Sequence, residues 1–451
     1  MSAPEGGLGW LGIVRLGCVQ TALGAIVVLT TSTLNRVMVV ELGLLAALPG
    51  VLVALHYMIQ ITRPRFGHGS DVGGRRTPWI IGGIAVLGAG GILASLATLI
   101  MVDHTFAGIA LAVFAFSLIG AGVGAAGTSL LVLLAAMTSP NRRAPAATIT
   151  WLMMITGFAV TAGVAGALLD PFSMQRLLAV TAAVAAIALT VTILAVWGIE
   201  PRAGVAAEAD EPAPERGAFM AAVREVLAER HTRRFGLFVF ISMLAYSAQD
   251  LVLEPFAGAV FGYTPGDSTQ LGGLQHGGVL IGMIAVAFIG ARVPAALRQC
   301  MIGGCLVSAV LLGCLALSGQ VGPGWPLAAN VFALGVANGI FAVAAIGSMM
   351  HLVSEGSRGR DGVRMGVWGA AQAIAFGLGG ILGTLAIDII RYATGEVAIA
   401  YSLVFAAQAT LFVSAAILAA RISRRAPQHH IKSAPTGALI DPRGDAAHEP
   451  L

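Results

Sequence analysis

Asp250 and Glu254 are the residues of this chain best placed to do chemistry. They lie four apart in Ser247-Ala248-Gln249-Asp250-Leu251-Val252-Leu253-Glu254-Pro255-Phe256, late in an apolar run that begins near Phe235 and holds no other charge. On a helix this spacing points both carboxyls the same way, about one turn apart. Holding an ionisable group at membrane depth costs roughly 2.5–3.5 kcal/mol even on lenient insertion scales. Two on one stripe should therefore face a protein interior or a wet cavity and not lipid. Pro255 lacks an amide proton and crowds the preceding turn, which predicts a kink or a helix end there. The pair, with Gln249 beside it, suits two kinds of work: anchoring the polar edge of a ligand, or taking up and releasing protons. The structural alternative is an ion pair closing the outer end of a bundle. Arg36, at the outer end of the first apolar span, is the obvious counter-charge for either acid.

Other polar residues fall inside apolar runs. His56 lies two-thirds of the way through the second span, His276 opens the eighth in Leu274-Gln275-His276-Gly277-Gly278, and His351 ends the tenth. A neutral imidazole flanked by glycines could axially ligate the metal of a flat macrocycle, and His276 is the best placed to do so. The alternative for each is a hydrogen-bonded helix histidine. Arg15 lies about one turn into the first span; it either snorkels to the cytoplasmic surface or faces a central cavity with Gln20 beside it. No nucleophile, base and orienting group occur together, and no metal-ligand constellation is spaced for one, so the chain does not read as an enzyme. Cys18, Cys300, Cys305 and Cys314 form no CxxC pair, which suggests neither a disulfide framework nor a zinc site.

The elements that must position these residues are membrane helices. Of 451 residues, 57% are hydrophobic and 11% charged, well below the roughly 25% charged of soluble domains. Twelve apolar spans are expected, near 11–34, 42–62, 78–100, 106–137, 147–169 and 177–199, then 235–260, 271–291, 299–318, 325–352, 364–388 and 398–421. The expected class is therefore an all-α membrane protein of two six-helix halves, 1–199 and 235–421. Residues 200–234, rich in Pro, Ala and charge, read as a cytoplasmic linker, with a short amphipathic helix at Phe219 to Leu227. Residues 422–451 read as a disordered cytoplasmic tail. With the N-terminus inside, cytoplasmic segments carry 22 basic residues and the opposite side 3, which places both termini in the cytoplasm. No basic patch alternates with aromatics, so nucleic acid is not an expected partner. The first run lacks a basic stretch before it and reads as a retained span, not a signal peptide.

The halves echo each other. Spans 5 and 11 both carry an early tryptophan (Trp151, Trp368), turn rich in Gly and Ala, and end at an acid (Asp170, Asp388). Spans 4 and 10 both hold a GxxxG, Gly120 with Gly124 and Gly335 with Gly339. Such layouts describe parallel repeats with any site at their interface. Gly122-Val123-Gly124-Ala125-Ala126-Gly127 matches GxGxxG but follows no strand, so it reads as close helix packing and not as a dinucleotide site. The span 11 glycines (Gly377, Gly379, Gly380, Gly383) have the same reading, or leave flat room for a planar ligand.

Two resemblances follow. The loop Gly67-His68-Gly69-Ser70-Asp71-Val72-Gly73-Gly74-Arg75-Arg76 resembles the signature loop of the major facilitator superfamily, which Gly67, Asp71, Gly74, Arg75 and Arg76 fit while Val72 departs from it. There the turn and the acid would hold one conformation as a lock. The stretch Gln249 to Gly258, continuing through Val260-Phe261-Gly262-Tyr263-Thr264-Pro265-Gly266, resembles the PucC-type, bacteriochlorophyll-delivery branch of that superfamily. Thr33 to Met38, Arg63 to Asp71 and Leu274 to Gly278 are similar to it too, so the likeness runs over about residues 10–421. It implies a multi-pass protein of the bacterial inner, intracytoplasmic photosynthetic membrane that binds bacteriochlorophyll or chlorophyll as cargo. Its partners would be light-harvesting antenna polypeptides, with chlorophyll synthase as a further one. No catalytic residues come with the resemblance. From the residues themselves, the candidate site is Gln249, Asp250, Glu254, Arg36, His276, Gln20 and Arg15. The competing readings are a proton-coupled transporter of a small solute, with Asp250 and Glu254 as protonation sites, and a ligand-free scaffold.

Overall fold

The computed structural model describes residues 8–62, 75–200, 230–293, 296–354 and 361–421, and among them it is helical with no strand. Six helices precede residue 200: α1 (Trp10–Glu41), α2 (Ala47–Thr62), α3 (Thr77–Met101), α4 (Thr105–Met137), α5 (Arg143–Leu169) and α6 (Met174–Val196). Six follow: α7 (Arg230–Phe261), α8 (Pro265–Arg292), α9 (Ala296–Val321), α10 (Leu327–Ser354), α11 (Asp361–Thr394) and α12 (Val397–Arg421). Eleven contain segments long and apolar enough to cross a membrane, and α2 is a shorter apolar helix. Gly67, Asp71, Gly74, most of the expected linker and the tail lie outside the described residues.

The first two boundaries differ from expectation for a local reason. α1 runs past residue 34 because Leu29–Thr33 and Val37–Glu41 wind as wider π-turns and keep the chain helical to Glu41. Gly43, at φ 63°, then turns the chain toward α2, a backbone conformation that favours glycine. Single π-turns are uncommon and cluster at functional sites. Of the two outcomes expected at Pro255, the helix does not end there: α7 continues through it to Phe261.

Within the first half α3 packs on α4 and α6, α1 on α5 and α6, and α2 on α4; within the second, α7 packs on α11 and α12, α9 on α10 and α12, and α8 on α10. Across the halves α5 meets α8, α2 meets α11, and α1 meets α7. Exchanging the halves turns the first of these contacts into the second, as a pseudo-two-fold requires. Glycines permit the closest approaches. A Cβ on Gly122 would stand 2.7 Å from the Gly83 carbonyl oxygen, and one on Gly120 2.6 Å from that of His56. Gly335 and Gly339 press in the same way on the carbonyls of Gln275 and Val279, so Gly120 against α2 and Gly335 against α8 make equivalent approaches in the two halves.

Leu168, Ile187, Leu194 and Val310 are exposed around the outside, as a lipid-facing surface should be. Two shallow apolar grooves open in corresponding places on that surface. One of about 350 Å³ lies between α3 and α4 over Gly82 and Gly83, and one of about 490 Å³ between α9 and α10 over Gly303 and Gly304.

Candidate functional site

Pro255 shapes this site. With no amide proton at 255, the carbonyl of Leu251 loses its helical donor. Asn35 of α1 supplies one instead, its Nδ2 donating to the Leu251 oxygen at 2.6 Å from across the interface between the halves. The end nearer the α1–α2 connection, called outer below, carries further bonds between the halves. Thr33 and Thr269 share a hydroxyl hydrogen bond of 3.1 Å, and Arg36 donates to the Tyr263 carbonyl at 2.6 Å. Asp388 of α11 accepts from the backbone N–H groups of Ala46 and Ala47, at 3.0 and 2.7 Å.

Tyr246, Asp250 and Glu254 form one stripe of α7, each a turn from the next. Glu254 is 2% exposed, its carboxyl lies against Gly272 on α8, and the Ser32 hydroxyl of α1 is the group close enough to hydrogen-bond it. Ser32, Arg36 and Asp250 are the polar groups around it. Asp250 is partly exposed, and beyond it toward the inner end the stripe becomes aromatic. The Tyr246 ring stands 6.0 Å from Phe376 of α11 and 6.5 Å from Phe341 of α10, while Phe376 in turn meets Tyr57 of α2 at 5.5 Å. Phe376 thus sits between tyrosines of opposite halves. The arrangement is a run of aromatic rings beside one partly exposed aspartate, with a sealed glutamate a turn beyond it. Rings can offer faces to an apolar ligand, and an acid beside them can fix a polar edge.

The other expected residues go elsewhere. Gln249 is fully buried and turned into the second half; its Oε1 accepts from Asn338 Nδ2 at 3.1 Å, and Asn338 Oδ1 accepts from Ser308 at 2.9 Å. Neighbours on a helix point about 100° apart, so Gln249 leaves the Asp250 stripe. Arg36 pairs with Glu41 and not with Asp250 or Glu254, because the π-turn at Val37–Glu41 stacks residues five apart. It remains charged company for Glu254, and its guanidinium lies over Gly258.

Arg15 donates to the carbonyls of Leu194 and Trp197 at the end of α6, at 3.3 and 2.5 Å, so it ties two helices of one half together and does not face the other half. Gln20 donates to the Met154 sulfur at 3.4 Å, and its buried Oε1 is left without a partner. His276 is 7% exposed, with Phe158 of α5 at 5.0 Å between ring centroids and an unpartnered Nδ1. A macrocycle could reach it only if that ring pair parted. His56 is buried against Tyr57 and bonds Gln60 at 2.9 Å, and the His351 side chain lies outside the described residues.

Of the loop, Arg75 is exposed, while Arg76 is buried at the start of α3. Glu200, expected in the linker, belongs to this corner: it accepts from the backbone N–H groups of Arg76 and Thr77 at 2.7 and 2.8 Å. Of the span 11 glycines, Gly379 presses on Leu244, Gly383 on Ala248 and Gly380 on Leu251, so three serve packing against α7 and only Gly377 has open space. Residue spacing alone missed Asn35, Tyr57 and Phe376. Pro255 was the available signal for the first, since a freed carbonyl in a membrane must find a donor. Tyr246 was legible as the residue one turn before Asp250.

Two six-helix halves related by a pseudo-two-fold are the major facilitator architecture, and solved transporters share it. A mutant of the nucleoside transporter NupG superposes with a TM-score of 0.69 over 91% of this chain and 99% of its own, at 15% identity. The peptide transporter POT in complex with sulfate gives 0.67 over 93% and 97%, at 14% identity. These likenesses establish the fold alone. Within that fold the chain belongs to the PucC family: the family described as "PUCC protein" matches residues 33–426. The "Bacteriochlorophyll synthase 44.5 kDa chain" of Rhodobacter capsulatus is 53% identical over 416 residues, covering 91% of this chain and 95% of the relative. "Protein PucC" of Rhodobacter capsulatus is 28% identical and covers 92% of each.

Proposed function

We propose that this chain binds bacteriochlorophyll or chlorophyll in the cleft between its halves and delivers it to light-harvesting antenna polypeptides, as an assembly factor and not a catalyst. The observation that carries the reading is the row of Tyr57, Phe376 and Tyr246 rings beside Asp250, a partly exposed residue. A chlorin is a broad, mostly apolar disc with a few polar edges. Aromatic faces give it area at little entropic cost, and a single acid sets its orientation. The family points the same way, and the name of the 53% relative associates that relative with bacteriochlorophyll synthase. We infer a working place in the photosynthetic inner membrane, with antenna polypeptides and the synthase as partners and both termini on the cytoplasmic side, as the arginine asymmetry favours. His276 is not required as a magnesium ligand in this reading, because Phe158 covers its ring.

Titrating the purified chain with bacteriochlorophyll in detergent, followed by pigment fluorescence, tests it. Saturable binding near one pigment per chain is expected. Phe376→Ala should weaken it about tenfold, the scale of losing ring contacts worth about 1.4 kcal/mol. Absence of saturable binding in the wild type would remove the reading.

One observation favours a second function, proton-coupled transport of a small solute. Glu254 holds a buried carboxyl with no salt-bridge partner, beside Asp250, in a fold that solved transporters share, and such intramembrane acids often carry protons. Uptake into proteoliposomes driven by a pH gradient and abolished by Glu254→Gln would establish it. Pigment binding unaffected by that substitution, with no uptake of any solute tried, would leave the first reading standing.

A further inference from the structure

We propose that Asn338, held in turn by Ser308, is a positioning residue: by binding Gln249 it fixes the rotation of α7 and so the direction in which Asp250 and Tyr246 face. The polar side chains run across three helices of the second half, from Ser308 of α9 to Asn338 of α10 to Gln249 of α7, at 2.9 and 3.1 Å. All three residues are fully buried.

The packing of the fold does not itself call for polar groups there. A Cβ on Gly83 of α3 would meet the backbone nitrogen of Ala126 on α4 at 2.6 Å, and one on Gly304 of α9 would meet that of Phe341 on α10 at 2.8 Å. These equivalent approaches align the two halves residue by residue. Four residues after the glycine and three before its partner, the first half has Leu87 and Val123, both buried. At the same steps the second half has Ser308 and Asn338. The joint is thus built once from apolar side chains and once from polar ones, whose burial is costly unless hydrogen bonds offset it. What the polar version adds is a bond to a third helix, α7.

α7 needs such a hold. In this stretch it meets α11 at Gly379 and Gly383, which offer no side chain to interlock, and Pro255 removes one of its own helical bonds. Around the helix, Asp250 lies about 60° from Ser247 on one side and about 100° from Gln249 on the other. Ser247 donates to the Phe376 carbonyl of α11 at 2.7 Å, and Gln249 accepts from Asn338. The stripe of Tyr246, Asp250 and Glu254 therefore faces out between two tethers. Directed bonds of this kind set helix register where smooth apolar contacts do not.

The inference rests on Asp250 as the polar anchor of the proposed site, but its test needs no cargo, so it can fail or succeed apart from the pigment titration. Asp250→Cys is made in a chain with Cys18, Cys300 and Cys314 replaced by Ser, and labelled in lipid nanodiscs with N-ethylmaleimide. Mass spectrometry then reads residue 250 and the fully buried Cys305 of α9 separately. Asn338→Leu should slow labelling at residue 250 about threefold, the scale of one hydrogen bond between membrane helices, while Cys305 stays sealed. Ser308→Ala should slow it less. Exchanging the amides, Gln249→Asn together with Asn338→Gln, should recover the original rate. If Asn338→Leu does not fold, Gln249→Leu carries the measurement. An unchanged rate at residue 250, or a slowed rate that the exchange leaves slowed, would overturn the proposal. So would faster labelling at both residue 250 and Cys305, which marks a general loosening of the half.

Discussion

At the residue scale, two buried polar groups define this protein: a carbonyl that lost its helical donor and an acid held without a salt bridge. Pro255 frees the Leu251 oxygen, and Asn35 takes it from the other half. Replacing Asn35 by Ala leaves a buried carbonyl unpaired and should cost about 1–3 kcal/mol. Pro255→Ala would restore an amide at 255, so the same Asn35→Ala change in that background should cost clearly less. Thermal unfolding in detergent of the four variants forms the cycle, and equal costs in both backgrounds would show that the bond is not what Asn35 supplies. The stripe of Asp250 and Glu254 could be read directly from the sequence, because four-residue spacing and charge in an apolar run are local facts. The destinations of Gln249 and Arg36 could not. Gln249 turns toward Asn338, which is known only once α10 is placed, and Arg36 reaches Glu41 because a π-turn extends a helix that hydropathy ends near 34.

At the element scale, glycine decides which helices touch. The seam between α5 and α8 brings backbones together at Gly166 and Gly266 and at Gly163 and Gly273. A Cβ on Gly166 would meet the Gly266 oxygen at 2.7 Å and the Gln270 nitrogen at 2.8 Å, whereas one on Gly163 meets nothing within 4 Å. Gly166→Leu should therefore lower the melting temperature of the purified protein and Gly163→Ala should hardly move it. The cost expected for Gly166→Leu is about 1–3 kcal/mol, as for other overpacked sites. Comparable losses for both would mean that the seam is not as tight as its geometry. Twelve apolar elements and the echo between the halves were legible because hydropathy and repeated GxxxG spacing are periodic signals. The role of Asp388 was not, since an acid at a span end reads the same whether it meets water or caps a helix from the other half.

At the scale of the whole molecule, the two halves are joined at their outer ends by hydrogen bonds and farther in by rings, Tyr57 on Phe376 and Phe158 on His276. Polar bonds hold the outer ends in register, and rings pack the halves together farther in. The resemblance in Gln249 to Gly266 led to the PucC family, which the match over residues 33–426 establishes. Our proposal puts the cargo beside the rings of α2, α7 and α11 and not at His276, whose ring Phe158 covers. The most direct test is the absorption spectrum of the chain purified from membranes that are actively assembling antenna complexes, as wild type and as Phe376→Ala. Our account predicts a bound chlorin band near one pigment per chain in the wild type and a marked loss of it in the variant. A colourless wild-type protein from pigment-replete membranes, or equal pigment in both, would contradict it.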